Sequence, residues 1–259
     1  MQVKSPIKDS PLRNPGETLD NQINELINAE AMSHIVSVLL VGILTATEWW
    51  RWYMELPPRP YVYTVIFIIV LIYTVPKIFK IKKQLKSLRQ GLDGEKAVGQ
   101  YLEGLREQGA KVFHDIPGDG FNLDHVIIAP SGIYVIETKT YSKPEKGRAV
   151  IIFDGTSVKL NNLPGNEKPI IQVIAAASWL KALLKESTGK QFETKPVVVF
   201  PGWFVEPTSE TKNSDVWVLN PKALPSFVAN SANSLSEEQI SMAAFHLSRY
   251  VRGHNKANK

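Results

Sequence analysis

The spacing of apolar residues changes along the chain. Residues 31–47 and 60–76 contain no Asp, Glu, Lys or Arg and are apolar along most of their length. From residue 91 onward, apolar residues occur at helical spacing in some stretches and at alternate positions in others. This change predicts an apolar N-terminal part followed by a domain of mixed helices and strands.

The two apolar runs approach the thickness of a bilayer. At about 1.5 Å per residue, each run covers roughly 26 Å, near the lower limit for crossing a hydrocarbon core of about 30 Å. Aromatic residues cluster where an interfacial belt would lie: Trp49, Trp50, Trp52, Tyr53 and Tyr61. The sequence predicts transmembrane helices at 31–54 and 60–79, after a polar segment at 1–30. A pair of buried core helices is the alternative.

The basic charge of the chain is concentrated directly after the second apolar run. Residues 77–89 carry six Lys or Arg and no acidic residue, whereas residues 90–259 carry nineteen basic and eighteen acidic residues. A basic cluster beside an apolar helix predicts a cytoplasmic flank. The segment 80–90 is therefore predicted to be a basic juxtamembrane linker that contacts anionic lipid, with a nucleic-acid backbone as the alternative partner.

Two crossings would return the N-terminus to the same side of the membrane. The expected location is the inner, cytoplasmic membrane, crossed more than once, with both termini and the C-terminal domain in the cytoplasm. The first 30 residues are polar and of mixed charge, so no cleavable signal peptide is expected. The chain has no Cys, which excludes a disulfide framework and a thiolate site.

Residues 91–259 predict an α/β sandwich with a mixed central sheet. No phosphate-binding glycine loop or nucleophile elbow occurs in them. The expected boundaries are 91–225 for the domain and 226–259 for a C-terminal helix and basic tail. The predicted elements are a helix at 91–110 capped by Asp93 and stopped by Gly109, a strand at 111–116, a hairpin at 121–140, a strand pair at 149–160, a helix from Lys168, strands at 195–202 and 216–220, and a helix from Ser236 to Val251 that Ser236 and Gln239 would cap.

The hairpin, FNLDHVIIAPSGIYVIETKT, carries charged residues at the end away from its turn. If the turn centres between Pro130 and Ser131, facing residues have numbers that sum to 261, and Asp124 faces Glu137. Directly opposed side chains lie on one side of a sheet, with Cβ atoms about 4.5 to 5.5 Å apart. A three-residue turn would shift the register by one and separate the two carboxylates.

Alternation along the strands assigns the neighbouring side chains to faces. Lys139 joins the side of the carboxylates, whereas Thr138 and His125 point away. A packed, hydrogen-bonded His125 is expected rather than a metal ligand. Glu95 lies on the helical stripe of Val98 that faces the core, where a carboxylate needs a partner.

Two carboxylates held this close repel each other unless a proton or a cation lies between them. Oxygen ligands favour Mg²⁺, which commonly takes one or two protein carboxylates and keeps several waters. Such an ion would acidify a water and polarise a phosphodiester, while Lys139 would orient that water or offset charge on the phosphate. The alternative is that Glu-x-Lys forms a solvated ion pair on a strand. The apolar residues 132–136 favour a central strand whose charged end opens into a crevice.

These residues resemble the nuclease-related domain family, NERD, of the PD-(D/E)xK nuclease superfamily. The resemblance covers about residues 91–200 and rests on GLDGE ending at Glu95, DHVIIAPSGIYVIETK from Asp124 to Lys139, and PIIQ ending at Gln172. It implies a restriction-endonuclease-like sandwich preceded by two transmembrane helices. By position, Asp124, Glu137 and the Thr138 carbonyl would bind the metal. Lys139 would be the catalytic lysine, supported by Glu95 and Gln172.

The expected function is a membrane-anchored nuclease that faces the cytoplasm and hydrolyses phosphodiester bonds in DNA with Mg²⁺ or Mn²⁺. RNA is left open as a substrate, and so is a homodimer. The alternative is a catalytically silent nucleic-acid-binding or membrane scaffold module that retains the nuclease fold. The near-neutral charge of residues 90–259 favours this alternative, because non-specific DNA binding usually needs a basic surface.

Overall fold

A computed structural model describes residues 12–57, 59–144, 147–160 and 163–257. Residues 12–17 and 91–257 form one compact unit, named the sheet unit, and residues 18–90 form a second, named the apolar unit. Residues 1–11 of the predicted polar segment and residues 258–259 of the predicted basic tail lie outside the described residues.

The apolar unit is helical. It holds α1 (Glu17–Glu25), a π-helical turn (Leu26–Ala31), α2 (Met32–Tyr53) and the first part of α3 (Pro60–Glu107). By length and composition, Glu17–Tyr53 and Pro60–Glu107 are candidate membrane spans. They include residues 31–53 of the first predicted transmembrane segment and all of the second, 60–79. The most apolar stretch of the first candidate span is 0% buried, and that of the second is 6% buried. The core helices of a soluble domain are mostly buried.

Helix α3 differs from the predicted boundaries. It runs without a break from Pro60 to Glu107, so the segment 80–90 is helical rather than a linker, and Asp93 lies inside the helix instead of capping it. The physical reason is that residues 77–90 contain no Gly or Pro and are rich in Lys, Leu, Gln and Arg, which favour helix. The predicted stop is confirmed, because α3 ends just before Gly109, which has a φ of +90°.

The sheet unit alternates strands and helices as the pattern predicts. Helix α6 begins with the predicted cap, in which Gln239 N–H donates to Ser236 Oγ and Ser236 N–H donates to the Gln239 side chain. It extends six residues beyond the predicted end at Val251. The elements after α3 are β1 (Lys111–Pro117), β2 (Asn122–Ala129), β3 (Gly132–Thr138), β4 (Val150–Phe153), β5 (Val158–Leu160), α4 (Lys168–Thr188), β6 (Thr194–Val199), β7 (Phe204–Pro207), a 3-10 turn (Ser209–Asn213), β8 (Trp217–Leu219), α5 (Leu224–Ala229) and α6 (Glu237–Ala257).

The central sheet has five strands in the order β1-β2-β3-β6-β8. Strands β1, β2 and β3 pair antiparallel, whereas β3, β6 and β8 pair parallel, so the sheet is mixed and β3 is its middle strand. A second sheet has the order β5-β4-β7. The pattern did not predict β7, which is short and largely exposed and therefore lacks a buried apolar face.

Helices cover both faces of the central sheet and bury its apolar residues. On one face, Leu180 and Leu184 of α4 and Leu247 of α6 join Val126 and Val135 in a core cluster. On the other face, Val98 and Leu102 of α3 pack with Ile127 and Ile136. This is the predicted α/β sandwich, and it leaves the carboxyl end of β3 as the place where polar residues gather.

Candidate active site at the open end of the hairpin

The hairpin has the predicted register. Strands β2 and β3 pair Ala129 with Gly132 and continue to His125 with Ile136, so every pair sums to 261. The turn has two residues, and Ser131 Oγ donates to the Val228 carbonyl of α5. This register brings Asp124 beside the last residues of β3, where Thr138 N–H donates to Asp124 Oδ2 at 2.6 Å.

Lys139 links the hairpin to α4. Its Nζ lies 2.6 Å from Glu137 Oε1 and 2.9 Å from Gln172 Oε1. Its backbone N–H donates to the Val199 carbonyl at 2.9 Å, which continues the parallel pairing of β3 with β6 and fixes the direction of the side chain. The structure therefore brings together the predicted Glu137, Lys139 and Gln172.

Glu95 approaches the same place from α3 and is buried. Burial raises the pKa of Glu95 to about 7, and the nearby charges of Asp115 and Glu137 add to that effect. Its neighbour Gly94 lies so close to Thr140 that a Cβ at this position would overlap the Thr140 hydroxyl. Glycine at 94 therefore lets α3 approach the strand end that carries Lys139.

Burial disfavours the charge of Asp124, Glu137 and Glu95, and neighbouring carboxylates add to this effect at Asp124 and Glu95. Burial raises the pKa of Asp124 well above its usual value, and the charges of Glu137 and then Glu95 raise it further. Burial also raises the pKa of Glu137, although Lys139 opposes that shift. A single lysine does not offset the charge of the buried Glu95 and Glu137 and the half-buried Asp124, so the site is short of positive charge.

A hard divalent cation fits this donor set. Asp124 and Glu137 supply the carboxylate oxygens that Mg²⁺ and Mn²⁺ prefer. Added positive charge would favour their ionised forms, which burial disfavours in both residues and which the charges of Glu137 and Glu95 disfavour further in Asp124. Among the described residues, no group of three or more His, Cys, Asp or Glu side chains is disposed to hold a metal. The predicted ligand set is compatible with that finding, because its third member is the Thr138 carbonyl.

His125 lies on the opposite face of the hairpin, as alternation predicts, and is fully buried. Its Nδ1 is 2.8 Å from His114 Nδ1, and His114 Nε2 is 3.2 Å from Glu103 Oε1. Burial, and then the neighbouring His114, lowers the pKa of His125 well below its usual value. The histidine is therefore packed and neutral, which agrees with the prediction.

Two residues near the site were not predicted. The β1–β2 register, with His114 paired to His125 and Ile116 to Leu123, places Asp115 opposite Asp124. Asp115 in turn forms an ion pair with Arg13, with 3.1 Å between Nη1 and Oδ2. Counting back from Asp124 could have found Asp115 if the length of the β1–β2 turn had been known, but no pattern around Arg13 indicates its partner.

Three comparisons relate the chain to known proteins. An uncharacterized protein of Bacillus anthracis is 32% identical over 81 residues, covering 29% of this chain and 38% of that protein. The structure of Pyrococcus furiosus SfsA in complex with Ca²⁺ is 18% identical, with a TM-score of 0.26, and the match covers 51% of this chain and 55% of that one. This chain thus spans less than two thirds of either relative. The model of the nuclease-related domain, NERD, matches residues 90–201 of this chain.

Proposed function

We propose that the chain is a membrane-anchored, metal-dependent nuclease that hydrolyses phosphodiester bonds in DNA. The observation that carries this proposal is the group of Asp124, Glu137 and Lys139 at the end of the central strand. Asp124 is half-buried, Glu137 is buried, and the pKa values of both carboxyl groups are raised. Buried titratable groups with shifted pKa values at a strand end are typical of catalytic sites. The match of residues 90–201 to a nuclease-related domain supports the same chemistry.

The residues of the chain divide the work by position. Asp124 and Glu137 would hold the cation with the Thr138 carbonyl, and a bound Mg²⁺ or Mn²⁺ supplies Lewis-acid polarisation and an acidified water. Lys139 would orient the attacking water and offset negative charge that develops on the phosphate. Gln172 accepts a hydrogen bond from Lys139 and keeps that ammonium directed at the site.

The two candidate spans support an anchor for this domain. Their most apolar side chains are exposed, including Ile43, Ile69 and Ile72, and a lipid bilayer would cover them. The basic residues 77–89 favour a cytoplasmic location for the domain in the inner membrane. Membranes washed with alkaline carbonate should retain the chain, and release into the supernatant would contradict the anchor.

The nuclease activity is tested with the full chain in detergent micelles. Single-stranded, double-stranded and branched DNA, and an RNA of matched sequence, are incubated with Mg²⁺, with Mn²⁺ and with a chelator. Metal-dependent cleavage is expected, and Lys139→Ala should lower its rate by at least about 100-fold.

Lys159→Ala is the matched control for Lys139→Ala. It removes an equal charge and also breaks an ion pair with a carboxylate, here Asp154 at 3.0 Å, but it lies on another hairpin. Its cleavage rate should equal that of the unmodified chain. Cleavage that persists with chelator, or that Lys139→Ala leaves unchanged, would remove the mechanism.

A second candidate is a binding module that keeps the nuclease fold without cleaving. The balanced charge of residues 90–259 favours it, because a neutral domain neutralises few phosphates. DNA binding that is independent of the cation and unaffected by Lys139→Ala, without cleavage of any substrate, would support this candidate over the nuclease.

A further inference from the structure

The chain segment before the first apolar helix belongs to the sheet unit. Residues 12–17, named the N-terminal strap, group with residues 91–257 rather than with the helices that follow them directly. Leu12 packs against the core cluster under α4 and α6. Pro15 lies against Gly99 of α3, where a Cβ would be 2.6 Å from Pro15 Cγ. The strap is therefore seated on the domain by close packing.

Arg13 fastens the strap to two further elements. Its Nη1 lies 3.1 Å from Asp115 Oδ2 on β1, and its Nε donates to Asn255 Oδ1 on α6 at 2.8 Å. The side chains of Arg13 and Asp115 are 15% and 4% exposed, so the ion pair is largely out of water. Asp115 also has a φ of +49°, in the left-handed region, which is uncommon for residues other than glycine although aspartate enters it more often than most.

Gly16 connects the strap to the site. Its backbone N–H donates to the Glu95 carboxylate. Its φ is +71°, and a Cβ at this position would overlap Leu92 and lie 3.5 Å from Glu95 Oε2. Position 16 therefore requires glycine for its backbone conformation and also for its close approach to α3.

Glu95 is confined from two directions. The strap contacts one side of this turn of α3 through Pro15 and Gly16, and Thr140 lies against Gly94. Because Thr140 directly follows Lys139, the same helical turn contacts both the strap and the catalytic strand end. The Glu95 carboxylate then lies near Glu137, whose charge raises its pKa, and near Lys139, whose charge lowers it.

We propose that the N-terminal strap is a positioning element of the active site, with Arg13 as its anchor. Arg13 balances the buried charge of Asp115, and the seated strap holds Glu95 at the site through Gly16. The catalytic consequence rests on the proposed nuclease function, whereas the seating of the strap does not.

Loss of Arg13 should act in two ways. A buried Asp115 carboxylate without its guanidinium is costly, so the local structure around β1 should loosen. The second effect is on Glu95: the negative charge of Asp115 disfavours the ionised form of Glu95, and without Arg13 that charge is no longer balanced by the guanidinium. Displacement of a supporting carboxylate by about 1 Å is enough to lower a catalytic rate up to about 100-fold.

The first measurement is hydrogen exchange of the full chain in micelles, which does not depend on cleavage. Arg13→Ala and Gly16→Ala should each speed exchange at residues 92–99 of α3. Gly189→Ala is the matched control for Gly16→Ala, because Gly189 has a φ of +72° but no atom within 4 Å of its Cβ position. Lys181→Ala, which breaks the exposed ion pair with Glu193, is the control for Arg13→Ala. Both controls should leave residues 92–99 unchanged.

The second measurement is the cleavage rate. Arg13→Ala should lower kcat by about 10- to 100-fold with little change in KM, and Arg13→Lys should recover part of the loss because it keeps the charge. In a Glu95→Gln background the further loss from Arg13→Ala should shrink to less than about twofold, since both changes affect one carboxylate. A full loss in that background, or an unchanged kcat in Arg13→Ala, would overturn the positioning role.

The two proposals fail in different ways. If the unmodified chain cleaves no nucleic acid with any cation, the nuclease function fails and the hydrogen-exchange comparison alone judges the strap. If exchange at residues 92–99 is the same in Arg13→Ala as in Lys181→Ala, the strap does not hold Glu95, whatever the cleavage assay gives.

Discussion

Two hairpins of the sheet unit each pair a carboxylate with a lysine, but they surround those charges differently. In the β2–β3 hairpin, Lys139 lies 2.6 Å from Glu137 at the open end. In the β4–β5 hairpin, Lys159 lies 3.0 Å from Asp154, which directly follows β4 at the turn. By residue type and distance alone, the two pairs look alike.

The carboxylate of the β4–β5 hairpin is surrounded by donors. Asp154 accepts hydrogen bonds from Ser157 N–H at 2.7 Å, Ser157 Oγ at 2.8 Å and Thr156 N–H at 3.1 Å. Although burial acts in the other direction, the bonds from Lys159 and Ser157 hold the pKa of Asp154 well below its usual range. Its charge stabilises the turn.

In the β2–β3 hairpin, Asp124 has carboxylates as neighbours instead. Asp124 accepts one backbone N–H, from Thr138, but burial and the charges of Glu137 and Glu95 raise its pKa. The charge of Asp154 is therefore structural, whereas the surroundings of Asp124 disfavour its charge. A carboxylate whose ionised form is already stabilised by hydrogen bonds gains little from a bound cation. A carboxylate whose ionised form is disfavoured by its surroundings is stabilised by one.

The largest expected effect concerns the two aspartates. Asp124→Asn should lower metal-dependent cleavage by at least about 100-fold, because an amide is a poor substitute for a ligand that carries charge. Asp154→Asn should leave the cleavage rate within about twofold, since the described side-chain partners of Asp154 are Thr156, Ser157 and Lys159 of its own hairpin. Rates are measured on the full chain at saturating Mg²⁺.

Stability should change in the opposite sense in these two variants. Without metal, Asp124→Asn removes a half-buried charge that neighbouring carboxylates repel. The urea midpoint, measured by proteolysis of the sheet unit, should therefore not fall. Asp154→Asn weakens several hydrogen bonds to a charged acceptor and should cost about 1 to 2 kcal/mol. An Asp154→Asn variant that is as stable as the unmodified chain but cleaves poorly would contradict the structural role assigned to Asp154.

The next expected effect is on the pH dependence of stability. The pKa of Glu95 rises on folding from 4.5 to about 7, so its protonated form stabilises the fold below pH 4.5 and that stability is lost as pH rises toward 7. The lowered pKa of Asp154 acts oppositely, giving stability above its usual pKa of 3.8 that is lost only in more acidic solution. In chelator, the urea midpoint should therefore fall between pH 4.5 and 7.

Glu95→Gln should make that fall shallower, because one of the carboxylates with a raised pKa is removed. Asp154→Asn should leave the slope between pH 4.5 and 7 as it is in the unmodified chain. A slope that is equal in Glu95→Gln and in the unmodified chain would show that Glu95 does not titrate in this range. Added Mg²⁺ should also flatten the curve, since a cation favours the ionised carboxylates.

Much of the site could be predicted from the sequence because the hairpin is local. A two-residue turn at Pro130 and Ser131 fixes the register, and period-two alternation then places Asp124, Glu137 and Lys139. The sandwich also followed from the order of helix and strand patterns. In each case the deciding contacts lie within one hairpin or one helix.

The missed features depend on contacts between distant parts of the chain. Arg13 lies 102 residues from Asp115 in sequence and 242 from Asn255, and no periodic pattern carries that information. The continuity of α3 was missed because composition marked residues 80–90 as a charged boundary, although their helix propensity is high. Charge shows where a membrane segment ends, but it does not show where a helix ends.

The smallest expected effect is the loss of the lysine in the structural hairpin. Lys159 is 46% exposed, and exposed ion pairs contribute at most about 1 kcal/mol because water screens them. Asp154 keeps its bonds to Thr156 and Ser157 in Lys159→Ala, so the urea midpoint should shift only slightly. In Lys139→Ala, by contrast, the buried Glu137 loses its cation and should take up a proton at higher pH. A large loss of stability in Lys159→Ala would mean that its ion pair, and not the turn, holds the Asp154 charge.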